Sequence, residues 1–292
     1  MATPKGLLID WVLRTASSGS AWFQRHIQTL ETSPDQKTLF TAIGLTPRKL
    51  GKADIALTEE DFHAADSLVP GWDPTEYSVD MAARLALVLT AFRPDDDFYT
   101  TFDTIWRTAD VGEQVALYRG LCLYPEPDRV RWQAEEGCRT NIKGVFEAIA
   151  HRNPFPAQHF DDIAFNQLCL KALFVGASLH LIQRLDERSN PALARMMTDY
   201  AFERWAASRT VSPELWRCVA PHPDARCLKA LDLALKATDE LTRLGATLAC
   251  SESQHPEARR LLASHPQAAA KNQDANAHWA ALATRFAAST AG

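Results

Sequence analysis

Apolar residues repeat at helical spacing along almost the whole chain, and the alternating pattern of a β-strand is nearly absent. Met81, Leu85, Val88, Leu89 and Phe92 lie at intervals that place them on one stripe of a helix. Similar stripes occur at 142–149, 193–200 and 241–248. The pattern therefore predicts an all-α fold.

Prolines mark a repeated helix opening in the last third of the chain. The string His-Pro-Asp-Ala-Arg begins at His222 and returns as His-Pro-Glu-Ala-Arg at His255, 33 residues later. Asn190 with Pro191 precedes the first string by 32 residues. A polar residue followed by proline is typical of a helix start, and this period is typical of two-helix solenoid repeats. The sequence predicts a right-handed α-α superhelix with HEAT-like helical repeats in its C-terminal part.

Further capping signals support this organisation. Thr58 with Asp61 resembles a capping box, and Ser212 before Pro213 resembles an N-cap. We expect one all-α domain over residues 1–292, because no low-complexity linker interrupts it. Within it, residues 1–189 form a less regular helical part and residues 190–292 form HEAT-like hairpins, with a helix in the alanine-rich tail 268–292 capping the stack.

Composition narrows the class of protein. The 292 residues include 31 basic and 36 acidic side chains, a net charge of −5 that gives no reason to expect nucleic-acid binding. The chain has no run of about 18 apolar residues, so no membrane-spanning helix is predicted. The short apolar run near the N-terminus suits an amphipathic first helix better than a secretory signal. Six scattered cysteines without a CxxC pair indicate a reducing compartment, so we expect a cytoplasmic protein.

The segment 161–185 is the most apolar part of the chain and is predicted to be one central helix. At 100° per residue, Gln167, Lys171 and Ser178 fall within about 40° of one another. Asp162 and Asn166, one turn apart, share a different face. A buried lysine beside amide and carboxylate groups could bind an anion or act as a base. The same side chains could instead form a structural hydrogen-bond network between helices.

Charged residues group at three other places, around Glu135, Glu136 and Arg139, around Asp186, Glu187 and Arg188, and around Arg195, Asp199 and Glu203. Such groups could hold a metal or a phosphate, but on helices they are more often solvated ion pairs. Two aspartate runs, at 95–97 and 161–162, loosely resemble the Mg²⁺-diphosphate motifs of all-α isoprenoid enzymes without having the DDxxD spacing. Mg²⁺ is therefore a weakly supported cofactor, and no specific metal ligand is predicted.

No catalytic signature occurs in the chain. It lacks HExxH, zinc-type Cys/His spacing, GxSxG, the P-loop and GxGxxG. The residues by themselves therefore indicate no reaction.

Many short strings between residues 50 and 220 together resemble the EboA-domain family. They include Gly51-Lys52-Ala53-Asp54, Leu68-Val69-Pro70-Gly71-Trp72, Ser78-Val79-Asp80-Met81-Ala82-Ala83-Arg84, Ala134-Glu135-Glu136-Gly137-Cys138-Arg139-Thr140-Asn141, Asn153-Pro154-Phe155-Pro156, Leu185-Asp186-Glu187-Arg188 and Glu203-Arg204-Trp205. The family often has a histidine before the last of these strings, where this chain has Phe202.

The resemblance implies a component of a gene cluster, ebo, that makes or exports a small secondary metabolite. We expect a helical pocket for a small polar, phosphorylated or prenylated intermediate, or alternatively a non-catalytic solenoid scaffold that binds another pathway protein. The candidate pocket residues are Arg119, Glu135, Arg139, Asn166, Lys171, Glu187, Arg188, Tyr200 and Glu203. Arginine and lysine would contact an anion, and glutamate would act as an acid, a base or a metal contact.

Overall fold

The computed structural model describes residues 3–16, 18–267 and 278–290, without the side chains of Asp96, Asp97 and Thr290. Helices make up 71% of the structure, and the described residues contain no strand. A single antiparallel bridge between Asp54 and Ser78 is the one β-type pairing recorded for them. The predicted all-α fold is confirmed. The chain divides into two compact units, an N-terminal unit, Met1–His159, and a C-terminal unit, Phe160–Gly292.

The described residues of the N-terminal unit form ten α-helices. They are α1 (Pro4–Thr15), α2 (Ser20–Thr32), α3 (Gln36–Leu50), α4 (Glu59–Leu68), α5 (Val79–Ala91), α6 (Asp96–Thr108), α7 (Val111–Arg119), α8 (Arg131–Gly137), α9 (Lys143–Ala150) and α10 (Phe155–His159). Helix α5 is buried on nearly every side and packs against α1, α2, α3 and α7. The centre of this unit is therefore the α5 stripe that the periodicity predicts.

Local signals at the first helices agree with the sequence. Helix α1 buries Leu8, Trp11 and Val12, which confirms an amphipathic first helix. The capping box at Thr58 and Asp61 is present, with both reciprocal hydrogen bonds formed. Such caps satisfy backbone N–H groups that a helix start leaves without intrahelical partners.

The C-terminal unit holds eight described α-helices. They are α11 (Asp162–Val175), α12 (Leu185–Arg188), α13 (Pro191–Ala206), α14 (Trp216–Val219), α15 (Ala225–Leu235), α16 (Glu240–Glu252), α17 (Pro256–Ala263) and α18 (Trp279–Thr290). Helix α16 packs against α14, α15, α17 and α18. The helix predicted in the tail is α18, whereas residues 268–277 and 291–292 lie outside the described part of the chain.

The repeated proline strings start helices in two of three places. Asn190 caps α13 and His255 caps α17, each followed by proline in the first turn. At the middle string the cap is Asp224, so Pro223 lies before α15 and not inside it. Ser212 and Pro213 open a short 3-10 turn, Pro213–Leu215. The superhelix, its HEAT-like packing and the division at residue 190 stay predictions.

The expectation of one central helix over 161–185 is wrong. Helix α11 stops at Val175 because Gly176 adopts a left-handed conformation, φ 68°, which ends helices readily. Its side chains Ile163 and Phe174 are 76% and 64% exposed. Ser178 lies beyond the helix and shares no helical face with Lys171, so α5 and not this segment has the buried central position.

Among the described residues, every helix is too short or too polar to cross a bilayer. All six cysteines are free thiols, and four of them are buried.

Candidate functional site

The nine residues proposed for a pocket divide between the two units. Arg119, Glu135 and Arg139 belong to the N-terminal unit, and Asn166, Lys171, Glu187, Arg188, Tyr200 and Glu203 belong to the C-terminal unit.

In the C-terminal unit, Asn166 and Arg188 tie the start of α11 to the segment before α13. The side-chain amides of Asn166 and Asn190 exchange two hydrogen bonds, at 3.1 and 2.9 Å. Arg188 donates to the carbonyl of Phe160 at 3.0 Å and to the Asp162 carboxylate at 3.1 Å, and its guanidinium lies 4.6 Å from the ring centre of Phe165. These contacts join helix ends.

The other four candidates of this unit have separate surroundings. Glu187 pairs with Arg184 at 2.6 Å, and Glu203 is exposed on α13. The Tyr200 ring meets Phe174 edge-on, with ring centres 5.1 Å apart, and burial raises the pKa of its hydroxyl. Lys171 is half-buried rather than enclosed.

In the N-terminal unit, Glu135 and Arg139 form ion pairs within or beside helix α8. Glu135 pairs with Arg131 at 2.7 Å, and Arg139, whose side chain is 78% exposed, pairs with Glu136 at 2.7 Å. Exposed pairs at this spacing contribute a few tenths of a kcal/mol. Of the three candidates in this unit, only Arg119 is buried.

Arg119 is the last residue of α7, and its side chain is 7% exposed. One terminal nitrogen donates to the carbonyl of His151 at 2.8 Å, and the other pairs with the carboxylate of Glu76. The Tyr77 hydroxyl donates to the Arg119 carbonyl at 3.1 Å, so both ends of the residue are fixed. The arginine side chain is thus held in place before any ligand arrives.

A second arginine, Arg152, approaches the same carboxylate. Its terminal nitrogen donates to Asp73 at 3.1 Å, and its Nε lies 3.6 Å from Oε1 of Glu76. Arg152 has a left-handed backbone, φ 51°, a conformation that is unfavourable for a residue with a Cβ. Strain of this kind is often found at functional sites.

The six residues Asp73, Glu76, Arg119, Glu147, His151 and Arg152 are called the Arg119 cluster below. Each of the two arginines in this cluster has a hydrogen-bond donor that is not used. The Nε atoms of Arg119 and Arg152 are buried, and neither has a hydrogen-bond partner within the described part of the chain. A buried donor without a partner has a desolvation cost, which an incoming oxygen could relieve.

Glu76 lies on a tight turn that brings its side chain to the Arg119 cluster. The Tyr77 amide donates to the Pro74 carbonyl at 3.0 Å, and the Thr75 amide donates to Asp73 at 3.0 Å. The buried Tyr77 side chain fixes the turn on the core, where desolvation raises the pKa of its hydroxyl far above the usual range. The backbone is anchored, while the Glu76 side chain is 50% exposed.

Glu147 on α9 adds a further carboxylate beside the arginines. Burial raises its pKa, the negative charge of Glu76 raises it further, and the cations Lys143 and Arg119 oppose both effects. The Lys143 ammonium lies 3.7 Å from Oε1 of Glu147, and Nδ1 of His151 lies 3.9 Å from the same oxygen. The cluster thus brings positive and negative groups together.

Sequence reasoning missed five of the six residues in the Arg119 cluster. Asp73 and Arg152 lie in two proline-containing segments, 69–74 and 151–156, whose composition is typical of turns. The available signal was a charged residue inside each turn, next to aromatic residues that anchor it. Glu76, Glu147 and His151 carry no spacing that links them to Arg119.

A buried carboxylate in the C-terminal unit has a structural role. Glu214 accepts hydrogen bonds from the Ser178 hydroxyl at 2.9 Å and from the His180 amide at 2.6 Å. The Ser178 oxygen also lies 2.7 Å from Nδ1 of His180. The serine and the carboxylate meet the same ring nitrogen, so the trio lacks the linear arrangement of a hydrolase triad and fixes the loop after α11.

Two cavities lie away from the nine candidates. One, of about 600 Å³, is lined by Lys236, Arg243 and His265 among others, and these side chains already pair with Asp232 or a backbone carbonyl. The other, of about 200 Å³, lies beside Arg93, which donates to four carbonyls. Within the described residues, no three His, Cys, Asp or Glu side chains group around one point as metal ligands would.

Comparison with known proteins identifies the family. A family described as metabolite traffic protein EboA matches residues 5–220. No curated protein and no solved structure matches the chain. The family match includes every residue of the Arg119 cluster and confirms the resemblance seen in the short sequence strings. Since it covers well over half of the 292 residues, the chain belongs to the EboA family of metabolite traffic proteins.

Proposed function

We propose that the chain binds a small anionic metabolite, phosphorylated or carrying a prenyl diphosphate, at the Arg119 cluster. The observation that carries this proposal is the convergence of two arginines on one half-exposed carboxylate, Glu76. A metabolite traffic protein has to bind its cargo and release it unchanged, which requires a binding site and no catalytic group.

The chemistry of the two side chains suits an anion. A guanidinium group presents planar N–H donors that match the oxygens of a phosphate or carboxylate, often in pairs. Arg119 is held by the His151 carbonyl and Arg152 by Asp73, so little side-chain entropy would be lost on binding. Partial burial strengthens the attraction between the two guanidinium groups and an anion, compared with the same groups in open water.

Among the nine pocket candidates, Arg119 carries the proposal. Glu135, Arg139, Glu187 and Arg188 are used in ion pairs, and Asn166 in an amide pair with Asn190.

Isothermal titration calorimetry tests the proposal with phenyl phosphate, inositol 1-phosphate and dimethylallyl diphosphate. We expect at least one of them to bind, and Arg119→Lys to weaken that binding about tenfold, because lysine cannot make paired donor contacts. Arg107→Lys is the matched control, since Arg107 is 78% exposed and pairs only with Asp103. Failure of all three probes to bind, or equal losses in both variants, would contradict the proposal.

A scaffold function is the second candidate, and the exposed face of α11 favours it. Ile163 and Phe174 are eleven residues apart, which places them within about 20° on one helix face. A right-handed superhelix with HEAT-like repeats would extend such a face into a protein-binding surface. Binding of each protein encoded beside this gene, compared between the native chain and an Ile163→Ser, Phe174→Ser variant, tests it. Binding that the double substitution leaves unchanged would exclude this face.

A further inference from the structure

We propose that Glu76 is an internal substitute for the ligand. In the free protein its carboxylate occupies the position of the ligand's anionic group, and a phosphate monoester dianion displaces it. This inference rests on the proposed function and specifies both the ligand class and how the site is kept closed.

The pairing of Glu76 resembles that of a bound anion. Its carboxylate meets a terminal nitrogen of Arg119, and Oε1 lies 3.6 Å from Nε of Arg152. No other residue of the described chain forms an ion pair with both arginines. Glu76 thus bridges two cations that lie 33 positions apart along the chain.

The two arginines and Glu76 differ in how freely their side chains can move. The Arg119 and Arg152 side chains are 7% and 30% exposed, and each has a second anchor, the His151 carbonyl and the Asp73 carboxylate. Glu76 is 50% exposed and lies on a turn whose backbone bonds do not involve its carboxylate. Rotation of its side chain into water therefore opens the site without breaking the turn or moving the arginines.

The number of hydrogen-bond donors, rather than the balance of charge, favours a phosphate monoester as the displacing ligand. The positive groups Arg119, Arg152 and Lys143 face the negative groups Asp73, Glu76 and Glu147. A ligand carboxylate would only exchange one monoanion for another. A phosphate monoester brings up to two charges and three acceptor oxygens, and can also accept from the buried Nε donors of both arginines.

An internal competitor lowers the apparent affinity of the site. The measured dissociation constant equals the intrinsic constant divided by the fraction of molecules in which Glu76 has moved away. Removal of the Glu76 charge should therefore tighten binding of the phosphate. Loss of an ordinary structural ion pair would weaken binding or leave it unchanged.

The experiment compares calorimetric titrations of phenyl phosphate and benzoate into the native chain, Glu76→Gln, Glu76→Asp and Glu31→Gln. Glu31 is the matched control, because it is 49% exposed and forms a long-range ion pair with Lys5. We expect Glu76→Gln to bind phenyl phosphate at least tenfold more tightly and Glu76→Asp to give an intermediate gain, because its shorter side chain reaches the arginines less well. Glu31→Gln should stay within twofold of the native chain, and benzoate should bind more weakly than phenyl phosphate throughout.

The outcomes separate this inference from the proposed function. If phenyl phosphate binding depends on Arg119 but Glu76→Gln binds equally or less tightly, Glu76 is no competitor and the anion site itself stands. If neither the native chain nor Glu76→Gln binds phenyl phosphate, this inference is wrong, and the proposed function is also wrong if inositol 1-phosphate and dimethylallyl diphosphate fail to bind as well. Glu76→Asp keeps the charge, so it answers the question if Glu76→Gln does not fold.

Discussion

The guanidinium of Arg119 pairs with the carboxylate of Glu76 across 43 residues of sequence. One partner ends helix α7 and is almost completely buried, while the other lies on a turn and is half exposed. A pair of this kind joins a buried cation to a half-exposed anion. This asymmetry makes the contact suitable for exchange with a ligand, unlike an ion pair buried on both sides.

The buried pair of Asp80 and Arg84 on α5 has the opposite, structural character. Their side chains are 7% and 5% exposed, and Arg84 also donates to the carbonyls of Ile43 and Gly112. We expect Arg84→Met to lower the free energy of unfolding by about 3–5 kcal/mol, because Asp80 is left buried and unpaired. Urea denaturation measures this loss, and Arg107→Met should change stability by less than about 1 kcal/mol. Similar small losses in both variants would show that the pair is not structural.

Asp61 should contribute to acid unfolding of the N-terminal unit. Burial raises its pKa, but the Arg14 guanidinium and hydrogen bonds from Thr58 and Trp11 outweigh that effect and lower the pKa to about 2. A carboxyl with a lowered pKa stabilises the fold above its unfolded pKa, near 3.8, and this stabilisation is lost as pH falls toward 2.

The corresponding measurement is the unfolding free energy of the native chain and of Asp61→Asn between pH 7 and pH 2. The variant should be about 1–3 kcal/mol less stable at pH 7, and the difference should shrink below pH 4. A difference that is constant over this range would contradict the assigned pKa.

Because Gly245 is closely packed, we expect even one added methyl group at this position to lower the stability of the protein. A Cβ at this position of α16 would collide with the backbone carbonyl of Pro213, which cannot rotate away. We expect Gly245→Ala to destabilise the protein by about 1–3 kcal/mol. Gly144 in α9 has open space around its Cβ position, so Gly144→Ala should be neutral or stabilising by up to about 1 kcal/mol. Thermal denaturation of the two variants gives the comparison, and equal midpoints would show that α16 and Pro213 can move apart.

The sequence predicts the helices well because a helix depends on local periodicity and caps. The α5 stripe, the box at Thr58 and the starts of α13 and α17 are all visible in it. The central position of 161–185 was mispredicted because apolar composition does not reveal that Gly176 ends the helix or that Ile163 faces solvent. Burial is a tertiary property, which composition indicates only on average.

The candidate site was less predictable for a related reason. Glu135 and Arg139 attract notice because charged residues at helical spacing are easy to recognise, yet such pairs mostly face solvent. The contact between Arg119 and Glu76 depends on a turn folding back onto a distant helix end, and no local spacing records that. Of the six residues in the Arg119 cluster, the sequence predicts only Arg119 as a site residue.

Glu147 predicts a pH dependence of anion binding. Burial and the nearby Glu76 raise its pKa, so its negative charge disappears at a higher pH than for an exposed glutamate. Affinity for phenyl sulfate, which keeps its charge over this range, should increase as pH falls through that pKa. Glu147→Gln should bind more tightly at neutral pH and lose most of this dependence. A dependence that persists undiminished in Glu147→Gln would assign it to another group.

A crystal structure of the full chain grown with phenyl phosphate shows whether the phosphate displaces Glu76 from the two arginines. We expect phosphate oxygens within hydrogen-bond distance of the guanidinium groups of both Arg119 and Arg152, with the Glu76 carboxylate turned into solvent. Phosphate bound elsewhere, with Glu76 still paired to Arg119, would contradict it.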